Sequence, residues 1–172
     1  MIKYTKTISL DRLIKNHFDF NRINGYCKEC PNYGNLWSCP PFDFDVNVVF
    51  NGRSHIKINA WVFNTEELKD SEIEHLNSNT VYEMNYLVLE EEKKTPGSFA
   101  FYADSCDICG DGYCSRLSNM PCLHLNKMRY TLEAFGVDVL TLLEDLFDLK
   151  LVWADEGKKY PNQIVRVTGL IE

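Results

Sequence analysis

Residues 55–63, HIKINAWVF, alternate polar and apolar side chains and are rich in aromatic and β-branched types, the period-two pattern of a strand with a buried face. On its N-terminal side, KYTKTISL within residues 1–10 alternates as a short strand, and DRLIKNHF after it reads as a helix with Ser9 or Asp11 as N-cap. On the other side, Thr65 is a plausible N-cap, with Glu66 and Glu67 in a first turn where negative charge complements the helix dipole. Between about Ser71 and Lys93, the residues Ile73, Leu76, Val81, Met84, Leu87, Val88 and Glu91 recur at spacings of about three or four. The NSNT stretch at 77–80 interrupts them, so one interrupted helix or two short ones are predicted, stopped by TPG at 95–97. SFAFYAD at 98–104 reads as a strand, LHLNKMRYTLEAFG at 123–136 as an amphipathic helix ending at Gly136, VDVLTLLEDLFDL at 137–149 as a further helix, and QIVRVTGLI at 163–171 as a closing strand. Together they predict a single α+β domain over residues 1–172: a small mixed sheet with helices packed on it and two cysteine-rich metal-binding loops, 24–45 and 104–122.

Those loops carry the chemistry. The chain has 172 residues, enough to bury a core without cross-links, and seven cysteines, an odd number that suits a disulfide framework poorly. MIKYTKTISLDRLIKNHF lacks the apolar core of a secretory signal, and no stretch approaches the roughly 20 apolar residues of a membrane span. A cytoplasmic location is therefore expected, and in that reducing setting clustered cysteines are more often metal ligands or redox groups than structural disulfides. A formal net charge of −7 offers no broad basic surface and disfavours nucleic acid as a partner.

The second group is Cys106-x2-Cys109-x4-Cys114-x7-Cys122, a stretched version of the single-loop runs that hold a [4Fe–4S] cluster. Gly110 and Gly112 would let the backbone turn close to the sulfides. Structural zinc, which more often uses two separated knuckles, is the alternative, with redox thiols or disulfides after it. The first group, Cys27-x2-Cys30-x8-Cys39, supplies three thiolates and leaves one position unassigned. It could be filled by His17, Asp43, Asp45 or a partner chain, left open on an iron that binds a small molecule, or the trio could bind nothing.

At these residues the chain resembles a known family. CKECPNYGNLWSCPP, and CDICGDGYC followed by PCLHLNKMRYTLEAFGVDV, are similar in order and content to the domain of unknown function 2284 family of predicted metal-binding proteins. The resemblance covers most of residues 26–139 and implies a small cytosolic protein of anaerobe-rich lineages that binds iron–sulfur clusters through these cysteines, without a settled reaction. The sequence departs from the family's Cys-Arg-x-Pro and Ser-Met-Glu-Ala at Cys122-Leu123-His124-Leu125 and Thr131-Leu132-Glu133-Ala134; Arg129 could stand in for that arginine only if the fold brings it round.

Trp37, Tyr33, Phe42 and Phe44 crowd the first loop and read mainly as packing that excludes water. His124 is a candidate ligand or proton donor, though such a histidine more often packs on its helix. Glu133 and Asp138 read as satisfying backbone donors at the Gly136 turn, and Glu90-Glu91-Glu92 as a solvated helix end. No Walker loop, dinucleotide glycine motif, serine-hydrolase elbow, zinc-protease helix or radical C-x3-C-x2-C run is present. The sequence therefore predicts an iron–sulfur protein with one or two [4Fe–4S] clusters per chain, acting in electron transfer with a redox partner protein, and it permits a homodimer. A metalloenzyme using an open iron at Cys27, Cys30 and Cys39 is one alternative, and a structural zinc-binding interaction protein another.

Overall fold

The computed structural model describes residues 1–110 and 113–172. Its regular elements are β1 (Ile2–Ser9), α1 (Leu10–His17), α2 (Phe20–Lys28), β2 (His55–Asn64), α3 (Asp70–Lys94), β3 (Phe99–Phe101), α4 (Val139–Phe147) and β4 (Gln163–Ile171), with short 3-10 turns at Val46–Phe50, Ser115–Ser118 and Glu133–Phe135. The four strands form one sheet in the order β1-β2-β4-β3, each neighbour antiparallel. The α+β class is as expected; the sheet is antiparallel throughout rather than mixed.

HIKINAWVF lies in β2, where alternation decides what packs where. Ile56, Ile58 and Ala60 face the larger core with Leu13 of α1 and Leu142, Leu143 and Leu146 of α4. Trp61 and Phe63 face the other way, onto Ile73 and Met84 of α3. Both faces of the sheet are thus covered, α3 completing its side with Val88 and Leu89 against Ala100, Tyr102 and Leu170. Ser9 caps α1 by accepting the Arg12 N–H at 3.2 Å, as its sequence position suggests.

The helix at 70–94 is continuous, because Ser78 and Thr80 turn their hydroxyls onto the Glu74 and Leu76 carbonyls one turn back at 3.2 and 2.7 Å instead of breaking it. It starts after the proposed Thr65 cap. Thr65 donates its hydroxyl to the Pro161 carbonyl at 2.5 Å, and the Lys69 N–H is satisfied by Glu72 at 2.8 Å.

The expected helix at 123–136 does not form. His124 accepts the Lys127 and Met128 amides for a single turn, after which the carbonyls that a helix needs go elsewhere: Lys127 to the Tyr102 hydroxyl at 2.5 Å and Tyr130 to the Tyr102 N–H at 2.8 Å. The Ala134 N–H, which would have met Tyr130, goes to the Thr131 hydroxyl at 3.1 Å. Met128 and Leu132 are buried at helical spacing for tertiary reasons, while Leu123 and Leu125 stay exposed. Nor is Glu92 a solvated helix end: it grips Arg129 through both carboxylate oxygens and accepts the Ala100 N–H at 2.8 Å. This pairing commits Arg129 to Glu92.

Gly136 does end its segment, as a left-handed residue at φ +88°. A Cβ there would lie 2.6 Å from the Phe20 Cα, so the start of α2 can sit on this turn only because the residue is glycine. The contact is reinforced by Asp19 N–H to the Gly136 carbonyl at 2.9 Å, Asp138 N–H to the His17 carbonyl at 2.7 Å, and Arg22 to the Asp138 carboxylate at 2.6 Å. Burial pushes the Asp138 carboxyl up, but the Arg22 hydrogen bond and the Thr141 amide outweigh burial and hold it below its ordinary value.

Gly136→Ala should lower stability by about 2 kcal/mol or more, from left-handed strain plus the clash with Phe20. Gly52→Ala, equally left-handed at φ +74° but with nothing within 4 Å, isolates the strain. Urea midpoints are the measurement, and equal losses in the two variants would show that the Phe20 contact is unimportant.

Candidate metal centre

Residues 24–45 contain more regular structure than their prolines and glycines suggest. Asp19 caps α2 by accepting the Arg22 N–H at 3.1 Å, and the helix runs through Gly25 to place Cys27 in its last turn. Two hydrogen-bonded turns follow, Cys30 N–H to Cys27 carbonyl and Tyr33 N–H to Cys30 carbonyl, both at 3.0 Å. Cys27 is half-buried, Cys30 exposed and Cys39 buried. All three line one cavity of about 310 Å³, together with Tyr33, Asp104, Glu133 and Arg166.

The four later cysteines line a second cavity of about 20 Å³ with Trp37, Ser38 and His124. That space is little more than one water, so a cluster would have to push the thiols outward and a single ion would have to draw them in. Gly110 makes the expected left-handed turn at φ +70°, its N–H on the Asp107 carbonyl at 2.8 Å; Gly112 lies outside the described residues. Backbone amides are aimed at sulfur: Ile108 N–H favours the Cys106 thiolate, Ser115 N–H the Cys109 thiolate, and His124 N–H donates to Cys122 Sγ at 3.4 Å. The Ser115 hydroxyl is buried and has no hydrogen-bond partner among the described residues, a deficit that an acceptor on a bound group would relieve.

The two loops, about 70 residues apart in sequence, form one unit. Arg116 donates to the carbonyls of Leu36, Cys39 and Pro41, each at 2.7 Å, and its guanidinium lies 5.0 Å over the Trp37 ring. Trp37 returns its indole N–H to the Met120 carbonyl at 3.0 Å. The fully buried Ser38 accepts the Cys106 N–H at 3.1 Å, and Asn32 donates to Ser105 at 3.1 Å. Ser38-Cys39 and Ser105-Cys106 are therefore shared walls. In each pair one residue lines the first cavity and its chain neighbour, about 3.8 Å away at Cα, lines the second.

Without a cation the buried thiols of Cys39 and Cys106 hold their protons. Cys39 and Cys106 are each pushed up to about 11, chiefly by burial and further by neighbouring acids and thiols, against the opposing Ser38 hydroxyl and Ile108 amide respectively. Burial also raises Cys27, with Glu133 and Cys30 adding to it, and Cys109, with Cys114 and Cys122 adding to it. Glu133 has exposed surface and lines the cavity wall, where desolvation by the surrounding protein raises its carboxyl pKa. A bound metal would reverse these shifts and release protons. The donor chemistry fits such a group, although among the described residues no three His, Cys, Asp or Glu side chains are placed to grip a single ion.

The proposed fourth ligands for the trio are elsewhere. His17 is buried between Thr141 and Asp145, both at 3.0 Å; Asp45 caps the 3-10 turn at 46–50; and Asp43 lines a different cavity, beside Cys122. The trio faces Glu133 and Asp104 instead, brought by the Gly136 turn and by the end of β3. Phe42 and Phe44 stack on each other and pack edge-on or tilted against Tyr130 and Phe135, the packing role expected of them. No motif marks Arg116 or Arg166 as serving the site, since each acts across a fold-dependent distance.

The chain belongs to the family described as predicted metal-binding protein (DUF2284), whose model matches residues 17–171. No curated protein and no solved structure matches it. Among the described residues no helix is long and apolar enough to cross a membrane.

In the reduced, metal-free protein, timed alkylation at pH 8 read by peptide mass spectrometry should modify exposed Cys30 first, and Cys39 and Cys106 on the order of tenfold more slowly. Arg116→Ala should selectively accelerate Cys39 by freeing its loop. Uniform reactivity would show that the two loops are not packed as described.

Proposed function

We propose, with that family membership as the premise, that this protein carries [4Fe–4S] clusters and passes single electrons to or from a partner redox enzyme. Cys106, Cys109, Cys114 and Cys122 hold one cluster, and Cys27, Cys30 and Cys39 hold the other. The observation that carries the reading is the shared wall, since two centres separated by Ser38-Cys39 and Ser105-Cys106 are close enough to exchange electrons.

The clusters, when bound, supply one-electron redox chemistry. The chain's own residues do the rest. Three backbone amides stabilise anionic sulfur in the four-cysteine loop, and Trp37 and Met128 shield it from water. Arg116 fixes one loop against the other, so the separation of the centres is set by hydrogen bonds rather than by flexible side chains. Leu117, Met120, Leu123 and Leu125 are exposed around the four-cysteine loop, an apolar rim of the kind that partner surfaces cover. A cytoplasmic, reducing setting suits thiols that carry no cross-link. The roomier first cavity, with carboxylates on its wall, favours a second reading in which that centre binds a small molecule at an open iron.

Protein purified without oxygen should contain roughly eight irons and eight sulfides per chain, four of each per cubane. On reduction, its electron paramagnetic resonance spectrum should show two signals broadened by mutual magnetic interaction. Cys106→Ala should remove about half the iron and the broadening together. Zinc without sulfide would overturn the reading in favour of a structural interaction protein.

A further inference from the structure

We propose that Glu133 is the fourth protein ligand of the centre held by Cys27, Cys30 and Cys39, an exchangeable carboxylate that yields to a small donor molecule with an apolar body. The inference rests on the iron–sulfur reading above and names the group that occupies its unassigned position.

Three observations single out Glu133. It lines the 310 Å³ cavity alongside all three thiols, and it also lines an adjoining apolar groove of about 550 Å³ whose lining includes Cys27, Cys30, Leu140, Leu151 and Trp153. It is therefore the one carboxylate common to the two spaces among the described residues, standing where a molecule from the groove would meet the metal. Its charge is also uncommitted: Thr131 and its own amide hydrogen-bond to it, but it has no ion-pair partner among the described residues, although Arg166 lines the same cavity. Arg166 instead pairs with the other carboxylate there, Asp104, at 3.4 Å, and Asp104 also accepts the Ser105 N–H at 2.7 Å. Finally, the main chain pins Glu133 in place. The Gly136 turn sets the 3-10 segment against α2, which carries Cys27, so helix and carboxylate approach as one packed unit.

Chemically, a carboxylate oxygen is a harder donor than thiolate and is the member of such a ligand set most readily displaced from iron. Displacement would be a ligand exchange without electron transfer: the Glu133 oxygen would leave the iron as the incoming donor takes its place, and the freed carboxylate would remain at the mouth of the groove, able to take up a proton. Trp153 and Tyr26, exposed on the groove's rim, give an apolar body somewhere to rest.

The test is iron content with ⁵⁷Fe Mössbauer spectroscopy on anaerobically purified full-length protein: wild type, Glu133→Gln, Glu133→Ala, Glu133→Cys and the double variant Cys27→Ala/Cys30→Ala. In wild type, roughly one iron in eight should show oxygen coordination, given four irons per cubane. Glu133→Cys should convert it to thiolate coordination, while Glu133→Gln and Glu133→Ala should lose about that one iron, give a three-iron signal when oxidised, and bind less added cyanide than wild type, which keeps the exchangeable iron. Far-ultraviolet circular dichroism checks that each variant folds. Full iron and unchanged spectra in all three Glu133 variants would overturn the assignment of Glu133 alone. Wild-type iron no higher than in the double variant would instead overturn the cluster at the trio, and this assignment with it.

Discussion

The guanidinium of Arg116 is the contact on which the site depends. Its hydrogen bonds to the carbonyls of Leu36, Cys39 and Pro41 join a loop from the first quarter of the chain to one from the second half. Carbonyls in irregular loops need donors if they are to leave water, and a planar fork with five N–H groups can satisfy three at once. Trp37 beneath the fork and Ser38 on the Cys106 amide complete the join. Two cysteine sets that are independent in sequence become neighbours through polar contacts, with little help from the hydrophobic core.

The core has a different task, which is to hold the ends from which those loops spring. β3 delivers Asp104 to Cys106, β4 contributes Arg166, and the Gly136 turn seats α2 so that Cys27 arrives beside Glu133. The price is electrostatic: thiols and carboxylates are concentrated in partly desolvated space, where each raises the proton affinity of the next. A cationic group bound there would relieve that repulsion, which connects the packing to the metal binding predicted for the family.

Much of the fold was legible because it depends on local pattern. The β2 and β4 alternations, the Ser9 cap, the α4 stripe and the Gly136 terminator each declare themselves within a few residues. The failures have a common cause. Residues 123–132 carry helical spacing, but Tyr102 takes the Lys127 and Tyr130 carbonyls and leaves no helical ladder. Glu92 sits in a charged run like any exposed helix end, yet Arg129 and the Ala100 amide bury it. In both cases a distant residue outbids the local preference, and no window of neighbouring sequence contains it.

The sequence by itself determined the number and grouping of the cysteines, the α+β class and the family, because cysteine spacing, hydrophobic period and motif order are properties of the linear chain. Only the tertiary structure decided that the two groups share the Ser38-Cys39 and Ser105-Cys106 walls, that Arg116 clamps them, and that Glu133 rather than His17, Asp43 or Asp45 faces the trio. The reason is physical. A ligand set is completed by whatever the fold brings within reach, and that reach is set by a glycine turn, a strand end and a hydrogen-bonded arginine acting across the chain.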